Sequence, residues 1–144
     1  MNTILSRIRL FLFLAALGNF LGTIPALISP AFFNSLFFLH PPDMVSTFPY
    51  LAMYHYCFWG VGLIMGIAYW MAAINPEKHR IVLLIGALGK LLAVAFWAMV
   101  YAQGHGKWLM LAGVLWDGPF GLILLLGYFY GGPKKNEPVP SAQQ

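Results

Sequence analysis

The sequence predicts an all-α protein: a bundle of four transmembrane helices with a short interfacial helix between the first and the second. Three observations carry that prediction. Hydrophobic residues make up 60% of the 144 positions and charged residues 8%, with a mean hydropathy of +0.75, a composition found in integral membrane chains and not in soluble domains. Four apolar runs, Arg9 to Ile28, Leu51 to Ala73, Ile81 to Ala102 and Trp108 to Tyr130, each suffice to cross a hydrocarbon layer that takes about 20 residues per helix. If the runs alternate in direction, Arg7, Arg9, Lys78, Arg80, Lys134 and Lys135 share one side, and only Lys107 lies on the other.

That bias follows the positive-inside rule. It places both termini and the loop around Lys78 in the cytoplasm, and the 29–50 segment and the turn from Gln103 to Lys107 outside. The expected location is a membrane crossed four times, with both termini in the cytoplasm. The net charge of +4 is then a topological signal, and nucleic acid is not an expected partner. Membrane lipid is, together with a membrane-protein partner or further copies of the chain.

The first run follows Arg7 and Arg9, as in a secretory signal, but its apolar stretch continues past Asn19 to Ile28 without a small-residue cleavage pattern. We read it as a retained helix. Between the first and second runs, Pro30 and the Pro41-Pro42 pair bound a stretch containing Phe32, Phe33, Leu36, Phe37 and Phe38. It is too apolar to float in water and too short to span the bilayer. It is expected to lie as a helix in the interface, either as a connector held by its phenylalanines or as a cap over the bundle.

Asn75-Pro76-Glu77 ends the second run and opens the third, with Pro76 at a position the first turn of a helix tolerates. Gln103-Gly104-His105-Gly106-Lys107 is a tight turn that makes a hairpin of the third and fourth. The transmembrane domain therefore covers residues 1–130. Residues 131–144, with no apolar period, are read as a disordered cytoplasmic tail.

Polar residues inside the runs lie on stripes of small or aromatic residues that mark the bundle interior. The first run carries Ala15, Asn19, Gly22 and Thr23 on one face, with Gly18 and Gly22 as a small-residue packing pair. The second carries His55, Trp59, Gly62, Gly66 and Tyr69; the third Gly86, Lys90, Ala93 and Trp97; the fourth Gly113, Asp117, Phe120, Gly121 and Leu124. Trp116 precedes the aspartate.

An ionisable residue in hydrocarbon costs about 2.5 to 3.5 kcal/mol on insertion scales, so it is expected to face the interior and find a partner. Lys90 and Asp117, of opposite sign and each about nine residues from its span's start, fall at similar depth and are expected to pair. The pair either fixes helix register or takes part in binding or proton movement. Pro119 has no amide hydrogen for the carbonyl of Leu115, so the helix is expected to kink or loosen beside Asp117.

His55, with Tyr54, Tyr56 and Trp59, reads first as an aromatic anchor at the membrane boundary. The other reading is a pocket in which His55 serves a quinone-like or sterol-like head group. The candidate ligand-binding set is Asn19, His55, Trp59, Lys90, Trp97, Trp116 and Asp117. No metal site is expected. The lone cysteine, Cys57, excludes an internal disulfide and a multi-cysteine cluster, and His40, His79 and His105 all belong to loops, which argues against bis-histidine haem ligation. Metalloprotease, phosphate-loop and serine-elbow motifs are missing too, and no catalytic residue is assigned.

The stretch from Ile67 to Leu83, containing Asn75-Pro76-Glu77-Lys78-His79-Arg80, followed by Gly89-Lys90 and later by Trp116-Asp117-Gly118-Pro119-Phe120, resembles small bacterial four-helix membrane proteins of DoxX-like architecture. Pro30, Phe33, Pro49 and Tyr50 extend the likeness to nearly the whole chain. The resemblance implies a bacterial inner-membrane location and a link to quinol oxidation or to accessory roles in membrane redox complexes, and it adds no substrate. It implies no catalytic residues. Three function classes stand open: an accessory protein binding a lipidic or quinone-like molecule, an isomerase or oxidoreductase using Asp117 and His55, and a proton-coupled carrier working through Lys90 and Asp117.

Overall fold

The computed structural model describes residues 3–41 and 49–131; the tail from 132 onward lies outside them. The described residues form five helices: α1 (Thr3–Ile28), α2 (Pro30–Phe37), α3 (Pro49–Ile74), α4 (Arg80–Ala102) and α5 (Leu109–Tyr130). Four contain apolar spans of 22 or 23 residues, each roughly 33 Å long at 1.5 Å per residue, enough to cross a bilayer core. The chain is a multi-pass membrane protein. Its outer surface agrees, since large apolar side chains such as Leu92 and Leu115 are 72% and 74% exposed along the spans, a surface that only hydrocarbon would solvate.

α1 lies mainly along α3, and α4 mainly along α5, while the two pairs meet along narrower seams between α1 and α5 and between α3 and α4. Small residues set these close approaches. A side chain at Gly66 would put its first carbon 2.8 Å from the ring of Phe20, and one at Gly121 would lie 3.1 Å from Leu91. The α4–α5 hairpin closes at Gly104, whose φ of +76° lies in the left-handed region that glycine enters without penalty.

The apolar core occupies the half of the bundle nearest the termini. Ile8, Leu12, Ala15 and Ala16 of α1 meet Tyr69, Ala72 and Ala73 of α3, Leu83 and Ala87 of α4, and Phe120 and Leu124 of α5. At this end Arg80 donates from Nε, at 2.9 Å, and from a guanidinium nitrogen to the carbonyl of Tyr128, and its guanidinium lies 5.1 Å from the Tyr128 ring. It thereby places a cation at the C-terminus of α5, where the last carbonyls lack helical donors.

The opposite end is closed by α2. Pro30 disfavours helical geometry at the residue before it, and Ser29, with φ −138° and ψ 75°, is where the chain turns from α1 into α2. Phe33 of α2 packs edge-on against Trp59 of α3, and Phe37 lies 5.5 Å from the ring of Trp97 of α4. The backbone ties α2 to the α4–α5 turn: Leu39 donates to the His105 carbonyl at 3.0 Å and Lys107 to the Phe37 carbonyl at 2.7 Å. The Lys107 ammonium then donates to the carbonyl of Ser35 at 2.6 Å, capping the last turn of α2. Of the two expectations for this segment, the cap over the bundle describes its inner face; Phe32, Leu36 and Leu39 remain exposed on the other.

One local expectation changes. Pro76 lies in the turn between α3 and α4 and not at the start of a helix; the Asn75 side chain accepts from the Lys78 amide at 3.1 Å, and α4 begins only at Arg80. Pro119 stands inside α5, which is helical from Leu109 to Tyr130.

Candidate functional site

Lys90 stands at mid-bundle on α4, with its side chain 6% exposed, and its ammonium lies 2.5 Å from Oδ1 of Asp117 on α5, whose side chain is 18% exposed. Two opposite charges brought together this closely offset much of the cost of holding either one in hydrocarbon. The sequence expectation of a pair at common depth is met.

Asn19 joins this pair to the other half of the bundle. Its Nδ2 donates to the carbonyl of Gly62 on α3 at 2.9 Å, and its Oδ1 accepts from Lys90 at 3.4 Å. The amide is thus oriented at both ends, linking α1, α3 and α4. On the next turn, the Thr23 hydroxyl donates to the Asn19 carbonyl at 2.7 Å, satisfying a polar group that would otherwise face the apolar interior.

Aromatic faces complete the surroundings of the ammonium. The rings of Tyr69 and Phe120 each have centroids 5.9 Å from Lys90 Nζ, at the outer range of a cation–π attraction. Neither ring was among the candidate site residues, although both belong to the inward stripes. Their signal was helical spacing, Phe120 being three residues after Asp117 and Tyr69 seven after Gly62. What admits Tyr69 is Gly86, where any side chain would run into its ring.

Trp59 and Trp97 lie in the half of the bundle that carries α2. Trp59 sits 3.9 Å from where a Gly22 side chain would begin, and Trp97 3.6 Å from the corresponding point at Gly113. With Phe33 and Phe37 of α2 they form an aromatic layer between the cap and the polar layer. Trp116 is different: it is 43% exposed on the seam between α1 and α5, stacked on Phe120 at 4.8 Å. Its indole lies against Gly18, where an added carbon would be 2.6 Å from Nε1.

His55 lies beside the aromatic layer, its ring 6.3 Å from that of Trp59, and does not reach the polar layer. Its Nε2 lies 2.9 Å from the carbonyl of Ala26, which can only accept, so Nε2 carries the proton. The reason is local. The helical donor for Ala26 would come from residue 30, and Pro30 has no amide hydrogen. His55 is therefore a buried tie between α3 and the end of α1, and not an anchor exposed at the boundary like Tyr54 and Tyr56. Ala26 is seven residues beyond Asn19, and His55 seven before Gly62, so two helices independently put it roughly 10 Å along the axis from the polar layer.

Among the described residues no three histidine, cysteine, aspartate or glutamate side chains gather at one point. No protein-family model, curated protein or solved structure matches the chain. Chemically, the polar layer offers an ammonium donor, a carboxylate acceptor and an oriented amide between aromatic rings.

Proposed function

We propose that this chain is an accessory protein of the bacterial inner membrane, DoxX-like in architecture, that binds a lipid-soluble quinone-like molecule beside Lys90 and Asp117. The observation that carries the reading is the incomplete use of the lysine. An ammonium has three donors, and among the described residues Lys90 meets two oxygens, that of Asn19 at the long distance of 3.4 Å. A ligand carbonyl would take the remaining donor or replace Asn19. A hydroxyl on the reduced form of such a ligand would donate to the Asp117 carboxylate. Trp59, Trp97 and Phe120 supply flat apolar surface for a ring, and Trp116, one residue from Asp117 on the α1/α5 seam, marks the route of entry from the bilayer. The separation of His55 from this layer supports binding over acid–base catalysis shared with Asp117.

The concentration of Arg7, Arg9, Lys78 and Arg80 at the end bearing the termini supports a cytoplasmic placement of that end. A membrane-impermeant maleimide should label Gln103→Cys in intact spheroplasts of a Cys57→Ala background, and Glu77→Cys only after lysis; the reverse pattern would invert the orientation.

The ligand is tested by purifying the full chain in mild detergent and quantifying co-purified isoprenoid quinones by mass spectrometry. Wild-type protein should carry quinone above the level of an unrelated membrane protein prepared alongside. The Lys90→Met/Asp117→Leu double variant should remain folded and lose it. Equal quinone in wild type and control, or full retention by the double variant, would leave the pair a register device.

A further inference from the structure

A second feature lies on the same α1/α5 seam, toward the termini. Ile8 and Phe11 of α1 and Ile123, Leu126 and Gly127 of α5 line an open groove of about 340 Å³, with Arg7 and Tyr130 at its mouth. Gly127 forms part of its floor, where a side chain would collide with Ile8. The apolar span of α1 begins at Arg7, so the mouth lies at the depth of lipid head groups and the lining at the depth of acyl chains.

We propose that this groove holds an acyl chain of an anionic phospholipid whose phosphate rests on the Arg7 guanidinium. Charge complementarity selects this occupant. Arg7 is exposed, and the described residues at this end carry Arg7, Arg9, Lys78 and Arg80 against Glu77 alone, an excess that attracts an anion. Arg80 is already engaged by the Tyr128 carbonyl, whereas the Arg7 fork presents paired donors suited to phosphate oxygens, and basic pockets between membrane helices bind anionic head groups. A second copy of the chain would bring the same cations to the same depth and repel. The exposed hydroxyl-bearing Tyr130 supplies a further donor beside the phosphate. This inference is independent of the ligand assigned to Lys90 and Asp117.

The test uses the full chain in phosphatidylcholine bilayers containing a trace of chain-spin-labelled phosphatidylglycerol or phosphatidylcholine, reading the motionally restricted fraction. Wild-type protein should prefer phosphatidylglycerol. Arg7→Gln should lower that preference about fivefold, the worth of one basic side chain near a membrane surface, and Arg7→Lys should restore most of it. Lys78→Gln removes the same charge from the neighbouring loop and should change little. Leu126→Trp, which fills the groove from its exposed edge, should lower restriction of both lipids. Equal effects of Arg7→Gln and Lys78→Gln would mean diffuse attraction and overturn the proposal. So would an absence of preference in the wild type or an unchanged signal in Leu126→Trp. Self-crosslinking of Leu126→Cys in a Cys57→Ala background would give the groove to a second copy instead.

Discussion

The Lys90 ammonium and the Asp117 carboxylate, 27 positions apart in the chain, meet at 2.5 Å between α4 and α5, and the Asn19 amide ties that contact to α1 and α3. Removing one partner leaves the other buried without compensation. Lys90→Met alone should therefore destabilise the bundle by about 3 to 5 kcal/mol, whereas Lys90→Met with Asp117→Leu should cost far less. Unfolding in mixed detergent micelles, followed by circular dichroism, measures both. A double variant as unstable as the single would show that the layer depends on charge beyond the pair.

Gly86 and Gly89 are one turn apart on α4, yet only Gly86 faces a neighbour. Any side chain there meets the Tyr69 ring, while nothing lies within 4 Å of the corresponding point at Gly89. Gly86→Ala should cost about 1 to 3 kcal/mol through overpacking. Gly89→Ala should be neutral or stabilising by up to about 1 kcal/mol, because glycine weakens a helix interior. Thermal unfolding of the two variants side by side gives the comparison, and equal losses would contradict the assigned packing.

His55→Leu should leave the Ala26 carbonyl without a donor and cost about 1 to 3 kcal/mol, with His55→Gln recovering part of the loss. Neither change should abolish quinone retention, because His55 is about two turns from Lys90 and meets the ligand layer only through the Trp59 ring. Loss of retention in a stably folded His55→Gln protein would place the histidine in the ligand site after all.

Lys107→Met should loosen α2. Hydrogen bonds from a charged donor contribute about 1.5 to 3 kcal/mol, so local opening should become at least roughly tenfold easier. Hydrogen–deuterium exchange should rise at the amides of Leu39 and Lys107, which pair α2 with the α4–α5 turn, and stay unchanged in the core around Leu83 and Leu124. Exchange that rises equally throughout would indicate global destabilisation and not release of the cap.

The membrane fold was readable because hydrocarbon imposes strict demands on composition. Twenty-residue apolar runs and misplaced charges are visible without any tertiary knowledge, and helical spacing identified the inward faces. Asn19, Lys90 and Asp117 were found together by that route. His55 is buried, as its place on the inward stripe implies, but its tie to Ala26 is not legible in the pattern, because the missing amide of Pro30 that calls for it lies on another helix. In the sequence Arg80 and Lys107 show only as topological charges. Their capping of α5 and α2 depends on which carbonyl comes within reach, and residues 48 and 72 positions away in the chain supply it.

By itself, the sequence determined that the chain crosses a membrane four times, where each crossing falls, and that Lys90 and Asp117 must turn inward, since burial in lipid is too costly for a lone charge. Only the tertiary structure decided that α2 closes one end against Trp59 and Trp97, that Tyr69 and Phe120 flank the lysine, and that Trp116 lies on a seam with an apolar groove below it. Those features rest on close approaches between helices, permitted by glycines whose partners are distant in the chain. A one-dimensional pattern records which face of a helix turns inward, but not which ring or carbonyl will be waiting there.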